Sequence, residues 1–223
     1  MHSVAMVCQK GGAGKTTLAV HLAIEAHRRG LKTLLIDVDQ QGSAAKILER
    51  RGDEPPDVAT EHPARLEASI RAAAREGYDV VILDTAPQAD QAAIKAARVA
   101  NTILIPVRPS IVDLDAIDAT LDVCRLVQNP GLFVLNAVSA QGQEADGAER
   151  AIIARGGKVC DVRIGDRKVF RAAFNDGRAA QEIDASSKAA GEIGRLFDRL
   201  PFAPAPMRVA VNARGHAATK GVR

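Results

Sequence analysis

The chain is 223 residues long, 47% hydrophobic and 26% charged, with a formal net charge of +3. That length suits one α/β domain with a full hydrophobic core, since roughly 100 to 200 residues make a typical domain, and it leaves little for a second. No apolar run approaches the roughly 20 residues needed to cross a bilayer, and no basic stretch with a small-residue cleavage site precedes the first apolar run, so a soluble, cytoplasmic protein without an export signal is expected.

The first apolar run, Val4 to Val7, reads as a buried strand. It leads directly into Gln9-Lys10-Gly11-Gly12-Ala13-Gly14-Lys15-Thr16-Thr17, a glycine loop between a strand and a helix. Glycines let the backbone wrap around phosphate oxygens, so that several N–H groups and the positive end of the helix point at one anion. Lys15 is placed to reach the outer phosphates of ATP, and the Thr16 hydroxyl to ligate Mg²⁺. The common pattern GxxxxGK[ST] expects glycine where Gln9 stands, and Gly11 and Gly12 compensate. A dinucleotide fingerprint would need glycine where Thr17 stands, so NAD is disfavoured.

Ala19, Leu22, Ala23 and Ala26 then recur at helical spacing, with Gly30 placed to stop the helix. The runs Thr33 to Ile36 and Val80 to Leu83 read as the next strands, and each ends in acid: Asp37-Val38-Asp39 after one, Asp84-Thr85-Ala86-Pro87 after the other. In an open parallel sheet ligand groups gather at the carboxyl ends of strands. Asp84 therefore suits Mg²⁺ coordination through water, Asp37 a place close to the metal, and Asp39 the orientation of an attacking water.

Further strands are expected at Thr102 to Ile105, Leu132 to Leu135 and Val159 to Ile164. Between them Leu114, Ile117, Leu121 and Cys124 form a helical stripe, with Asp115, Asp118 and Asp122 as its solvated acidic face. Ala190, Ile193, Phe197 and Leu200 mark the last helix. The alternation predicts an α/β fold: a P-loop domain with a mainly parallel central sheet flanked by helices on both faces, over residues 1 to 200. Pro201, Pro204 and Pro206 end regular structure, and residues 201 to 223 carry four basic residues and no acid, leaving the first 200 residues at −1. That stretch is expected to be a mobile basic extension. Cys8, Cys124 and Cys160 lie without a CxxC pair, which favours buried thiols over a metal or iron–sulfur site.

The loop from Lys10 to Thr17, the segments Asp37-Val38-Asp39-Gln40-Gln41-Gly42-Ser43 and Asp84-Thr85-Ala86-Pro87, and Ile105-Pro106-Val107-Arg108-Pro109-Ser110 together resemble the ParA/MinD group of deviant Walker ATPases, most closely the short ParA-type (ParF-like) partition ATPases. The likeness covers about residues 3 to 200, departing at Gln40, where the family often has proline. It implies an ATP hydrolase with ATP and Mg²⁺, in which Lys10 crosses a homodimer interface to the partner's nucleotide and Asp39 positions the hydrolytic water. It also implies that the loop at Pro109 and Asn136 hold the base.

Between Arg150 and Arg178 eight basic residues face three acids. By the same resemblance, Arg163, Arg167, Lys168 and Arg171, aided by the tail, are expected to bind nonspecific DNA in the ATP-bound dimer. The cargo would be a plasmid, a chromosome region or a protein assembly, with a ParB-like or small adaptor protein stimulating hydrolysis. Residues 201 to 223 lack the bulky apolar face of a membrane-binding helix, so a membrane partner is not expected. A metabolic ligase or kinase on the same fold, and a scaffold that barely hydrolyses, are the alternatives.

Overall fold

The computed structural model describes residues 1–86, 91–109, 116–141 and 143–202. Pro87, Ser110, Leu114, Asp115 and the tail from residue 203 lie outside the described residues.

Six strands form one parallel sheet: β1 (His2–Met6), β2 (Thr33–Asp37), β3 (Asp57–Thr60), β4 (Val80–Asp84), β5 (Thr102–Val107) and β6 (Leu132–Leu135), in the order β3-β2-β4-β1-β5-β6. Successive residues point to opposite faces. Val4 and Met6 on β1, Leu35 on β2, Val80 and Ile82 on β4 and Leu104 on β5 enter one core, with helices α1 (Lys15–Arg28) and α2 (Ser43–Leu48). Ala5, Ile36, Val81, Leu83, Ile103 and Ile105 enter the other, with α3 (Leu66–Arg75), α4 (Gln91–Val99), α5 (Ile117–Leu126) and α6 (Gln143–Ala154). Burial on both faces explains why the strands read as unbroken apolar runs. The short helices α7 (Lys168–Ala172) and α8 (Ala180–Ile183) and the final α9 (Lys188–Asp198) complete the α1 side.

Helix α1 ends where expected. Gly30 adopts φ +83, its N–H donates to His27 at 2.8 Å and Leu31 N–H to Ala26 at 3.1 Å, the paired bonds of a Schellman cap that a left-handed residue makes possible. Ile117, Leu121 and Cys124 are buried on α5 while Asp118 and Asp122 face solvent.

Two elements differ from the sequence expectation. β3 was not anticipated: it is a four-residue edge strand, largely exposed, so it carries no apolar run. The stretch Val159 to Ile164 is not a continuous strand. Cys160 N–H bonds Phe133 and Ile164 N–H bonds Leu135, so four residues of this stretch advance beside two of β6, and only isolated bridges remain. The intervening residues bulge out of the ladder. Because all six strands run parallel, the segments after β1, β2, β4, β5 and β6 emerge at one edge of the sheet.

Candidate functional site

The loop after β1 closes on helix α1 with Gly14 at φ +100, a conformation L side chains rarely adopt. Lys15, the first helical residue, is buried, and its Nζ donates to the carbonyl of Cys8 at 3.1 Å. Burial pulls its ammonium pKa below the usual lysine value, opposed by Cys8, Asp84 and Asp39. Lys10, half-buried, lies five residues ahead on the same loop, and Gln9 Nε2 donates to Ala119 on α5 at 3.2 Å. The side chain that replaces the expected glycine thus ties the loop to α5.

Asp84 ends β4 directly beside Asp37 at the end of β2. It is fully buried; Thr16 Oγ1 donates to its Oδ2 at 2.7 Å, and its Oδ1 has no partner. Burial pushes its pKa up to about 7, with Thr16 and Lys15 pulling down and Asp37 and Asp39 pushing up. A buried carboxylate with an orphaned oxygen, beside a hydroxyl and an ammonium, fits a divalent cation and an anionic ligand. Among the described residues no group of three His, Cys, Asp or Glu side chains forms a metal cage, and Cys8, Cys124 and Cys160 are buried thiols.

Asp37 is held differently. Its Oδ1 accepts Asp39 N–H at 3.0 Å and its Oδ2 accepts Ala44 and Ala45 N–H at 2.9 and 3.0 Å, so it anchors the start of α2. Burial raises its pKa against those three bonds. Asp39 is half-buried and its Oδ1 accepts Gln41 N–H at 2.9 Å.

Asn136, buried after β6, crosses to the loop: its Nδ2 donates to Ala13 at 2.7 Å. Gly12, Gly14, Thr17, Asn136 and Arg108 line a cleft together with Arg167, Phe170 and Arg171; Pro109, two residues past the end of β5, is buried. Arg163 is clamped by Asp146 and Glu149 at 2.7 and 2.6 Å, and Arg167 pairs with buried Glu192, which also accepts Gly165 N–H. Lys168 and Arg171 are exposed. The structure thus brings together Lys15, Thr16, Asp37 and Asp84 and joins Asn136 to the loop, while Arg163 and Arg167 stand on ion pairs within the fold. Arg108 lines the cleft from within the Ile105-to-Ser110 segment, whereas Phe170, which also lines it, carries no signal in the sequence.

Among the described residues no helix is long and apolar enough to cross a membrane. The family model of the CobQ/CobB/MinD/ParA nucleotide binding domain matches residues 4–60, and that of the ATPase MipZ matches residues 52–191, well over half of the chain. The chromosome-partitioning ATPase Soj of Thermus thermophilus is 33% identical over 164 residues, 59% of this chain and 66% of that protein. The maintenance of carboxysome distribution protein A of Gloeobacter kilaueensis is 38% identical over 120 residues, 53% of this chain and 54% of its own. The chain therefore spans about two thirds and about half the length of these two relatives. In fold, it is similar to apo McdA from Cyanothece (TM-score 0.73, 18% identity, 87% of this chain and 97% of that one) and to Pyrococcus horikoshii MinD complexed with Mg-ADP (TM-score 0.70, 20% identity, 88% and 94%). The phosphate loop, the acids beside it and both family matches agree: the chain belongs to the ParA/MinD family of deviant Walker ATPases.

Proposed function

We propose that the chain is a ParA-type ATPase that pairs with a second copy of itself when ATP is bound, holds DNA backbone in that state, and so positions or segregates a cargo. The reading is carried by the loop that bears a second lysine, Lys10, ahead of a Lys15–Thr16 end packed on buried Asp84. In this reading the amides from Gly11 to Thr17 cradle the phosphates and Lys15 neutralises their outer oxygens. Thr16 would ligate the cation and Asp84 would hold it through water, while Asp37, close to the metal site, keeps its oxygens on three backbone N–H groups. Mg²⁺, when bound, supplies charge neutralisation on the β- and γ-phosphate oxygens.

Asp39 leaves its bond to Gln41 N–H to orient the attacking water. Lys10 of one copy approaches the nucleotide of the other and stabilises charge there, a task worth about 10³ to 10⁵ in rate where arginine performs it. Asn136 and the Pro109 loop border the base. Exposed Lys168 and Arg171, with the basic tail, supply the DNA contacts directly. Arg163 and Arg167, already paired with Asp146, Glu149 and Glu192, border that surface and add little to it. The domain of residues 1 to 200 carries the nucleotide site and the exposed Lys168 and Arg171, in a cytoplasmic protein that gathers on the nucleoid when ATP-bound.

A protein assembly is a second possible cargo, favoured by the 38% identity to a carboxysome distribution protein. Phosphate release with and without DNA tests the function. Release stimulated by DNA and reduced about tenfold or more in Asp39→Ala is expected, since an oriented general base contributes about 10² to 10⁴. Release that follows a small-molecule acceptor instead would point to a ligase or kinase.

A further inference from the structure

Helix α7 stands between two chemistries. Phe170 and Arg171 line the cleft together with Gly12, Gly14 and Thr17, while Lys168 and Arg171 face solvent. At five residues it is far below the roughly 12 to 15 needed for a helix to persist by itself, so its position is set by what it touches. What it touches is α1. Phe170 meets the His21 ring edge-on with centroids 5.0 Å apart, and Phe174, in the next turn, lies tilted against it at 5.1 Å.

His21 is fully buried, and its Nδ1 lies 2.8 Å from the carbonyl of Thr17, one turn back in α1, where the Lys10-to-Thr17 motif ends. A carbonyl only accepts, so Nδ1 carries the hydrogen and Nε2 is a bare acceptor, which has no partner. Burial holds the ring neutral, its pKa lowered to about 4. The neighbouring charge is Glu182, and Gln181 Nε2 donates to the His21 carbonyl at 2.8 Å. A second link enters from the 3-10 turn Glu49–Arg51, which directly follows α2, the helix whose start Asp37 holds. Arg50 donates to Phe174 at 2.6 Å, and Arg51 to Gly177 at 3.0 Å and to Glu182 at 2.8 Å.

We propose that His21 is a positioning residue that ties the phosphate loop to α7, so that nucleotide in the cleft fixes the basic helix within one subunit, before a second copy arrives. The inference rests on the nucleotide reading of the cleft and adds its regulation: the surface offered to DNA is the outer side of the wall that nucleotide touches. Both links converge on residues 168 to 182, one from the end of the loop and one from the acid beside it.

Hydrogen exchange on the full chain tests this with Mg-ADP, at a concentration where sedimentation shows a monomer. Amides of residues 168 to 176 are expected to slow about tenfold or more on ADP addition, together with those of Gly11 to Thr17. In His21→Ala the loop amides still slow and residues 168 to 176 do not. His21→Asn, which keeps a donor for the Thr17 carbonyl but not the ring between the two phenylalanines, guards against misfolding of the alanine variant and shows the same loss. Slowing of the loop alone in the wild-type protein, or equal slowing of residues 168 to 176 in both variants, overturns the coupling. No slowing anywhere overturns the nucleotide-site reading and the coupling with it. Failure to retain DNA while the exchange pattern holds overturns only the DNA role of α7.

Discussion

The side-chain amide of Asn136 crosses from the end of β6 to the Ala13 carbonyl and fills the space where a Cβ on Gly14 would lie. Two strands apart in the sheet but 123 residues apart in the sequence, Asn136 and Ala13 together fix the curvature of the phosphate loop. Gly14→Ala combines that collision with φ +100, whereas Gly12, at φ +77, has nothing within 4 Å of a Cβ. Gly12→Ala should therefore weaken ADP binding by no more than the roughly 1 to 2 kcal/mol of left-handed strain, about tenfold. Gly14→Ala should lose it about a hundredfold or more, as titration calorimetry would read. Asn136→Ala leaves a buried carbonyl unsatisfied and should cost about 1 to 3 kcal/mol of folding stability.

His21 should make stability depend on pH. Its folded pKa is lowered from 6.5 to about 4, so between those values the unfolded chain binds the additional proton and stability rises with pH. The contribution is complete above about pH 6.5 and is lost as pH falls toward 4, about 3 kcal/mol at roughly 1.36 kcal/mol per unit. Denaturant unfolding at pH 7 and pH 4.5 should show a smaller difference in His21→Asn than in the wild-type protein.

Asp84 is the reverse case. Its folded pKa is raised from 3.8 to about 7, so the ionised carboxylate opposes folding increasingly as pH rises through that window. Asp84→Asn keeps an acceptor for Thr16 and removes the buried charge. Without nucleotide it should unfold roughly 2 kcal/mol harder at pH 8 while losing Mg²⁺-dependent ATP turnover, a trade expected where a site stores unfavourable electrostatics.

Much of this site was legible because the relevant signals are local. The loop from Lys10 to Thr17 and the acids Asp37 and Asp84 follow apolar runs, and a strand buried on both faces announces its end. What was not legible depends on pairs distant in sequence. Arg163 reads as a free cation until Asp146 and Glu149 are folded against it, and Arg167 until Glu192 is. His21 looks like one more polar residue on α1; only Phe170 and Phe174, about 150 residues away, give it a role. β3 was missed because an exposed edge strand needs no apolar run, and the 159–164 stretch misled because its apolar residues pack in a bulge beside β6.

The ion pairs also separate the basic residues. Lys168→Ala and Arg171→Ala should each weaken DNA retention and lower the slope of log affinity against log salt by about one. Arg163→Ala, whose guanidinium is held by two acids, should leave that slope nearly unchanged.

ATP-dependent pairing, as proposed, rests on Lys10 acting across two subunits. Sedimentation of the wild-type protein and of Lys10→Ala, each with Mg²⁺ and a non-hydrolysable ATP analogue, reads this directly. The expected result is a dimer for the wild-type chain and a nucleotide-bound monomer for the variant. A variant that dimerises as the wild-type chain does, or a wild-type chain that stays monomeric, would contradict it.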